Sequence, residues 1–502
     1  MSSNIVKLET ALQAKIKNNA KKPREKQGQK PDAQTNEVLF SDNYDAIILA
    51  EKWKNSACYD AIAKQWYFYE TGRWLKDDKM QRLQLAIEVL VKHYSLILNR
   101  LSRNEFNDAI KRLKIIKSTK GIEQILKQTS ALLAVVTNEF EAKPWLYNMD
   151  NGTLNLDTIK LEPHSPDNLC WFKSGFIYDT SAKCPNWEKF ISDIAEGQND
   201  KISWIKYLKK WCGYLLTGNT DYQMWLFAFG SGRNGKGTLF NTLRMLENGI
   251  DAFGNINNAG YYYEIPIELL YKNSFQSKDY GLASIRGARF IRANEAEKGK
   301  KLNASLIKQL TGQDVLAVRK IYQEPENIVP WAKMVIVGNE KPLIDDNSDA
   351  FWRRIKPLEF KAEFNAEDNN FIHESVLMNR FKNELSGILN WCIDGLNLIK
   401  TEGFNDIECV KRAINDYKAE SDILLDFLEN TDTYIINKKT PENKMYIREL
   451  YEDFCRWEIQ ELCIKSNTFG STRPFINALK ARGFFIKPGA GGKKEILGIR
   501  KK

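Results

Sequence analysis

Apolar positions change their period several times along this chain, and each change marks an element. Residues 1–38 carry almost no large apolar side chain after Leu12 and are rich in Lys, Asn, Gln and Pro. A segment of that kind cannot bury a core, so a disordered basic tail is expected. Beta-rich aromatics flank a Gly72 turn across 65–74, which predicts a hairpin. Helical spacing follows over 79–102, 105–117 and 121–136. Asn151-Gly152 predicts a second hairpin with a type I′ turn. Residues 186–217 read as helix, with Trp204, Tyr207, Leu208, Trp211 and Leu215 on one stripe that core packing explains.

The centre, 218–360, alternates short apolar runs (Met224–Phe229, Arg289–Ala293, Lys333–Val337) with helices at 236–247 and 303–312. Strands interleaved with helices predict a parallel α/β sheet. From about 370 the pattern is helical again. Residues 444–502 read as helix, helix, strand, turn, strand, the order of a winged helix.

Composition narrows the classes. The chain has 502 residues, 43% hydrophobic and 27% charged, as in globular proteins. No apolar run approaches the roughly 20 residues that cross a bilayer, and no secretory core opens the chain, so a cytoplasmic protein without a membrane partner is expected. The eight cysteines stand singly, which argues against zinc and disulfide frameworks. Lys and Arg number 74 against 64 Asp and Glu, a net +10 that is compatible with an anionic partner and does not by itself require one.

Chemistry is concentrated after Phe229. The loop Gly230-Ser-Gly232-Arg-Asn234-Gly235-Lys236-Gly237-Thr238 joins a predicted strand to a predicted helix. Glycines let successive N–H groups curl around a phosphate, the helix N-terminus adds positive potential, and Lys236 adds a mobile charge. One position departs from the usual loop: Gly237 stands where a hydroxyl normally meets Mg²⁺, leaving Thr238 as the nearest substitute. Downstream, the strand 289–293 ends in Asn294-Glu295-Ala-Glu297, acidic groups suited to metal binding and to polarising water. Residues 315–325 predict a hairpin carrying Arg319, Lys320 and Tyr322, two cations and an aromatic suited to a nucleic-acid strand. The strand 333–337 delivers Asn339, an amide able to sense a γ-phosphate. Phe351-Trp352-Arg353-Arg354 presents paired arginines of the kind that stabilise a departing phosphoryl group from a neighbouring subunit.

In that order, these motifs resemble a superfamily-three helicase of the phage, plasmid and poxvirus primase–helicase family. Asn151-Gly152-Thr-Leu-Asn-Leu, Cys184-Pro-Asn-Trp187 and Cys212-Gly-Tyr-Leu-Leu-Thr-Gly218 look like its pre-motor domain, and residues 421–483 resemble its C-terminal winged helix. The resemblance implies an α/β fold: a tail (1–38), an α+β pre-motor domain (39–200), a AAA+-like motor with a parallel sheet (201–365), a helical lid (366–440) and a winged helix (441–502). It implies ATP and Mg²⁺ as cofactors, a homo-hexamer, and translocation on single-stranded DNA with unwinding of duplex. Lys236 would bind phosphate. Glu295 would serve metal and water with Glu297 behind it, and Thr238 would be a further metal contact. Asn339 would be the sensor, and Arg353 or Arg354 the finger. Arg319, Lys320 and Tyr322 would line the pore. Arg473, Lys480, Arg482, Lys493 and Lys494 lie on or near the predicted recognition helix and a glycine-rich wing, where they would meet DNA.

No clustered metal carboxylates suggest a polymerising domain, so a primase or a loader is expected as a separate partner. Two other classes fit parts of the pattern. An ATP-regulated DNA-binding initiator would bind an origin without processive unwinding, and a nucleotide kinase would pass the γ-phosphate to an acceptor other than water.

Overall fold

A computed structural model of the chain describes residues 40–136, 139–251, 255–257, 260–272, 281–296, 300–319, 326–344, 346, 348–365, 367, 371–430, 433–462 and 469–502. The predicted tail, Glu297, Lys320 and Tyr322 lie outside them. The chain forms two units, one of residues 40–67 and 76–135, the other of 68–75 and 136–502. Among the described residues, no helix is long and apolar enough to cross a membrane.

The first unit holds helix α1 (Asp42–Trp53), strand β1 (Ala57–Asp60), and helices α2 (Gln81–Ile97), α3 (Arg103–Ile116) and α4 (Thr119–Leu132). The predicted helices are thus present: the first is shorter at both ends, and the other two begin two residues earlier and end one and four residues sooner than their periodicity suggested. Strand β1 pairs in parallel with β4 (Ala134–Val135). Leu49, Leu90, Tyr94, Ala109 and Ile125 close its core. The buried Asp45 is held by the Tyr94 hydroxyl at 2.8 Å and by Arg112 Nε at 2.7 Å, so the charge is paired and hydrogen-bonded. The predicted hairpin is β2 (Gln65–Glu70) and β3 (Arg73–Lys76).

In the second unit, β5 (Leu146–Met149), β6 (Gly152–Asn155) and β7 (Lys160–Glu162) form an antiparallel sheet. The turn differs from the one expected. Met149 pairs with Gly152, so the loop is Asp150-Asn151 and the glycine opens the strand. At Gly152 (φ 153°) a Cβ would lie 2.5 Å from the Glu162 carbonyl oxygen, which is why a glycine stands there. The long helical stretch is two helices, α5 (Pro185–Ile194) and α6 (Lys201–Leu215), broken at Gly197. The apolar stripe of α6 is core, with Trp204 and Trp211 fully buried.

The central sheet is parallel throughout. Its order is β14 (Ile355–Glu359), β8 (Trp225–Phe229), β13 (Lys333–Gly338), β10 (Phe290–Asn294), β9 (Tyr262–Glu264). All five residues of β8 are buried, Leu226 and Ala228 in one core and Trp225, Phe227 and Phe229 in the other, so both faces are covered. Helix α7 (Lys236–Asn248) leaves the loop after β8 and returns along the sheet, ending where Asn248 Oδ1 accepts from Tyr262 N at the start of β9, 3.0 Å away. Helix α8 (Ala304–Thr311) precedes the short hairpin β11 (Leu316–Val318) and β12 (Glu326–Ile328); α9 (Asp349–Trp352) precedes β14. Neither β9 nor β14 stands out in the sequence. The first is only three residues long. The second carries Pro357, which an edge strand tolerates because its missing N–H can face away from the ladder.

Helices α10 (Glu374–Asn383), α11 (Leu385–Glu402), α12 (Glu408–Glu420) and α13 (Ile423–Asn430) follow. The C-terminal body contains β15 (Tyr434–Ile436), β16 (Lys444–Tyr446), α14 (Ile447–Leu462), α15 (Thr472–Ala481), β17 (Ile486–Pro488), β18 (Lys494–Leu497) and β19 (Ile499–Lys501). It differs from the expected order in having strands before the helices. Strand β15 pairs with β19, and β16 pairs with β18, so the body begins upstream of residue 441.

Candidate nucleotide site and its surroundings

Three loops leave the sheet side by side. The parallel register aligns Phe229 with Gly338 and Val337 with Asn294, so the glycine loop, Asn339 and Glu295 emerge at one edge. In open α/β sheets this carboxyl edge is where ligands bind. Lys236, only 5% exposed, donates to the Gly230 carbonyl at 3.1 Å and approaches Asn339 Oδ1 at 3.4 Å. Burial lowers its pKa from 10.5 to about 8. Asn234 fastens the loop from within, its Nδ2 donating to the Phe360 carbonyl at 3.3 Å.

The loop needs its glycines at specific places. At Gly235 (φ 81°) a Cβ would meet Ile194 at 2.5 Å, whereas at Gly237 it would meet nothing within 4 Å. The space beside Gly237 is therefore open where a hydroxyl usually stands. Glu295, exposed at the tip of β10, has φ 63°, a strained conformation for a residue with a Cβ.

A cavity of about 370 Å³ adjoins the loop, lined by Phe190 of α5, Arg233, Gly235, Thr238, Phe364, Phe371 and Arg380 of α10, among others. Thr238 thus faces this cavity. Its aromatic walls escaped the sequence reading, because Phe190 and Phe371 lie far from the loop along the chain; the Cys184-Pro-Asn-Trp187 motif was the available signal. Glu384 secures this wall by accepting from the Asn186 and Trp187 backbone N–H groups at 3.1 and 3.0 Å.

Other predicted residues lie elsewhere. Arg353 and Arg354 precede β14 at the opposite edge of the sheet, where the Arg354 carbonyl accepts from Trp225 N at 2.8 Å and its Nη2 donates to Gln223 at 2.9 Å. Arg319 follows β11 and is exposed. On the C-terminal body, Arg473 and Lys480 are exposed on α15, Lys494 is exposed at the start of β18, and Lys493 lies 5.3 Å from the Tyr446 ring centre. Arg482 departs from expectation. It pairs with Asp422 at 2.9 and 2.5 Å and donates to the Ala478 carbonyl at 2.7 Å, so its fork is consumed inside the body. It is a fastening of α15 and not an exposed phosphate contact.

Residues 46–196 match the family described as D5 N terminal like, and residues 228–354 match a family of unknown function, DUF5906. The chain is 23% identical over 449 residues to a mimivirus protein named putative helicase L207/L206, covering 82% of this chain and 45% of that protein. It is 21% identical over 402 residues to the putative primase C962R of African swine fever virus, covering 75% and 39%. It is 22% identical over 418 residues to the putative helicase 121R of invertebrate iridescent virus 3, covering 76% and 42%. The chain therefore spans less than half the length of these relatives. Among solved structures it is similar to the apo C-terminal region of NrS-1, with TM-score 0.47 and 12% identity over 91% of this chain and 99% of that one. The chain thus carries a D5 N terminal like region and a DUF5906 region, and it is similar to viral proteins named putative helicase and putative primase.

Proposed function

We propose that this chain is an ATP-dependent DNA helicase of a phage, plasmid or other mobile element, built on a AAA+-like motor and working as a hexamer. The observation that carries the reading is the alignment of the glycine loop, Asn339 and Glu295 on neighbouring strand tips. Loop N–H groups and Lys236 would hold the β and γ phosphates. The aromatic cavity beside Thr238 would take the base, since Phe190, Phe364 and Phe371 offer faces for stacking. Glu295 would polarise the attacking water and Asn339 would orient it at the γ-phosphate. Mg²⁺, when bound, would neutralise charge on the phosphates. The open space at Gly237 is compatible with a metal held partly through water.

The distance of the arginines from the loop supports their action across a subunit boundary, and hence an oligomer. Arg319, exposed at the end of β11, would contact DNA, with Lys320 and Tyr322 beside it in sequence. The C-terminal body, two helices and an antiparallel sheet with the glycine-rich turn 488–493, supports the winged-helix reading with Arg473, Lys480, Lys493 and Lys494 toward duplex DNA. The names of the relatives, putative helicase and putative primase, are consistent with an enzyme of nucleic-acid metabolism. The test is ATP turnover with and without single-stranded DNA. Turnover that rises with DNA and vanishes in Lys236→Ala is expected; normal turnover in that variant overturns the site.

A further inference from the structure

The usual phosphate site holds its metal with a hydroxyl after the loop lysine and a carboxylate at the tip of the acidic strand. Here Gly237 stands at the first place, so the hydroxyl is missing, and at the strand tip the amide Asn294 immediately precedes the carboxylate Glu295. Strand β9, which stands next to β10, ends in Glu264, and its carboxylate accepts a hydrogen bond from Asn294 Nδ2. Glu264 is itself fixed by the Tyr262 hydroxyl at 2.8 Å and by Arg292 Nη2 at 3.3 Å.

A carboxylate only accepts hydrogen bonds, so the amide must turn its NH₂ toward Glu264 and its Oδ1 away. The sheet and helix fix where that oxygen stands. Arg292 Nη1 donates to Asn241 Oδ1 of α7 at 3.0 Å, which ties the two elements at one level. Asn294 lies two residues further along the same face of β10, about 6.6 Å nearer the loop. Helix α7 runs the opposite way, and Gly237 lies four residues before Asn241, about 6 Å nearer the loop. Asn294 therefore stands at about the height of Gly237 along the sheet, on the face that α7 covers, and the space a Cβ at Gly237 would enter is open.

We propose that Asn294, oriented by Glu264, supplies the metal-facing side-chain oxygen of the nucleotide site. Glu264 is the positioning residue. It fixes the amide and lends the pair a negative charge one bond removed from the ligand oxygen, as carboxylates behind metal ligands do. Mg²⁺ in phosphate sites takes few protein ligands and keeps several waters, so one oriented oxygen is chemically sufficient alongside the phosphates. The inference rests on the ATP-site reading above.

The test is Mn²⁺ binding, read by electron paramagnetic resonance, to the full chain with a non-hydrolysable ATP analogue. Glu264→Gln and Asn294→Ala should each weaken Mn²⁺ about 10–100-fold, while analogue binding in EDTA stays unchanged. The exchange variant Glu264→Gln/Asn294→Asp keeps the charge and the hydrogen bond with the roles reversed, and should recover most of the affinity. Unchanged Mn²⁺ affinity in the two single variants overturns the proposal, and so does loss of metal-free analogue binding together with failure of the exchange variant. If the wild-type chain binds the analogue neither with nor without metal, the ATP-site reading falls and this proposal with it.

Discussion

The arginines proposed as fingers give the sharpest consequence of the fold. Arg354 sits level with Trp225, the first residue of β8, and the glycine loop begins after Phe229, the fifth. At about 3.3 Å per residue the two are separated by roughly 17 Å, which no single side chain spans. A finger has to supply about 10³–10⁵ in rate, or about 4–7 kcal/mol. Across roughly 17 Å, with an effective dielectric near 20, a unit charge contributes only about 1 kcal/mol before salt screening. The arginines cannot serve their own subunit's nucleotide with that force. Alanine substitution of Arg353 and Arg354 should therefore cut turnover by about 10³ or more while sparing nucleotide binding. Mixed with Lys236→Ala chains, activity should return, because some interfaces combine an intact lysine with an intact arginine. Random one-to-one mixing in a ring makes about a quarter of the head-to-tail interfaces whole. No recovery at any ratio would refute action in trans.

Two further consequences are measurable. With Lys236 near 8 before nucleotide binds, and phosphate favouring its charged form, binding should take up a proton increasingly as pH rises from about 8 toward 10.5. Affinity should fall by up to about tenfold per pH unit in that window, and calorimetry in two buffers of different ionisation enthalpy reads the proton directly; a flat profile would mean that the lysine is charged throughout. Replacing Arg473, Lys480, Lys493 and Lys494 with alanine should reduce the slope of log duplex affinity against log salt by up to about 3.6, at about 0.9 per phosphate contact. Arg482→Ala should leave that slope unchanged and loosen the C-terminal body, because its partner is Asp422.

What could be read from the sequence follows from how local each signal is. The strand, glycine loop and helix at 224–248 were legible because the glycine spacing, the apolar run before it and the helix after it are contiguous. Asn339 and Glu295 were legible once three strands could be placed in parallel, since alignment at one edge follows from that placement. Glu264 was not, because a three-residue strand carries no period and its partner Asn294 is thirty residues away. The cavity walls were hidden for the same reason: Phe190 and Phe371 reach the loop only after the helices pack. Arg482 was misread because its exposure depended on Asp422, sixty residues earlier. The turn at Asp150-Asn151 shows a nearer limit. Asn-Gly marks a hairpin, but one residue of register moved the glycine from the turn to the strand.

The central claim is that nucleotide turnover drives strand separation. Displacement of a labelled strand from a forked duplex by the intact chain, with ATP and Mg²⁺, tests it most directly. The account predicts displacement that requires hydrolysable ATP and disappears in Lys236→Ala. Duplex binding and ATP turnover without displacement, at any fork polarity, would contradict it and favour an initiator that only remodels its own assembly.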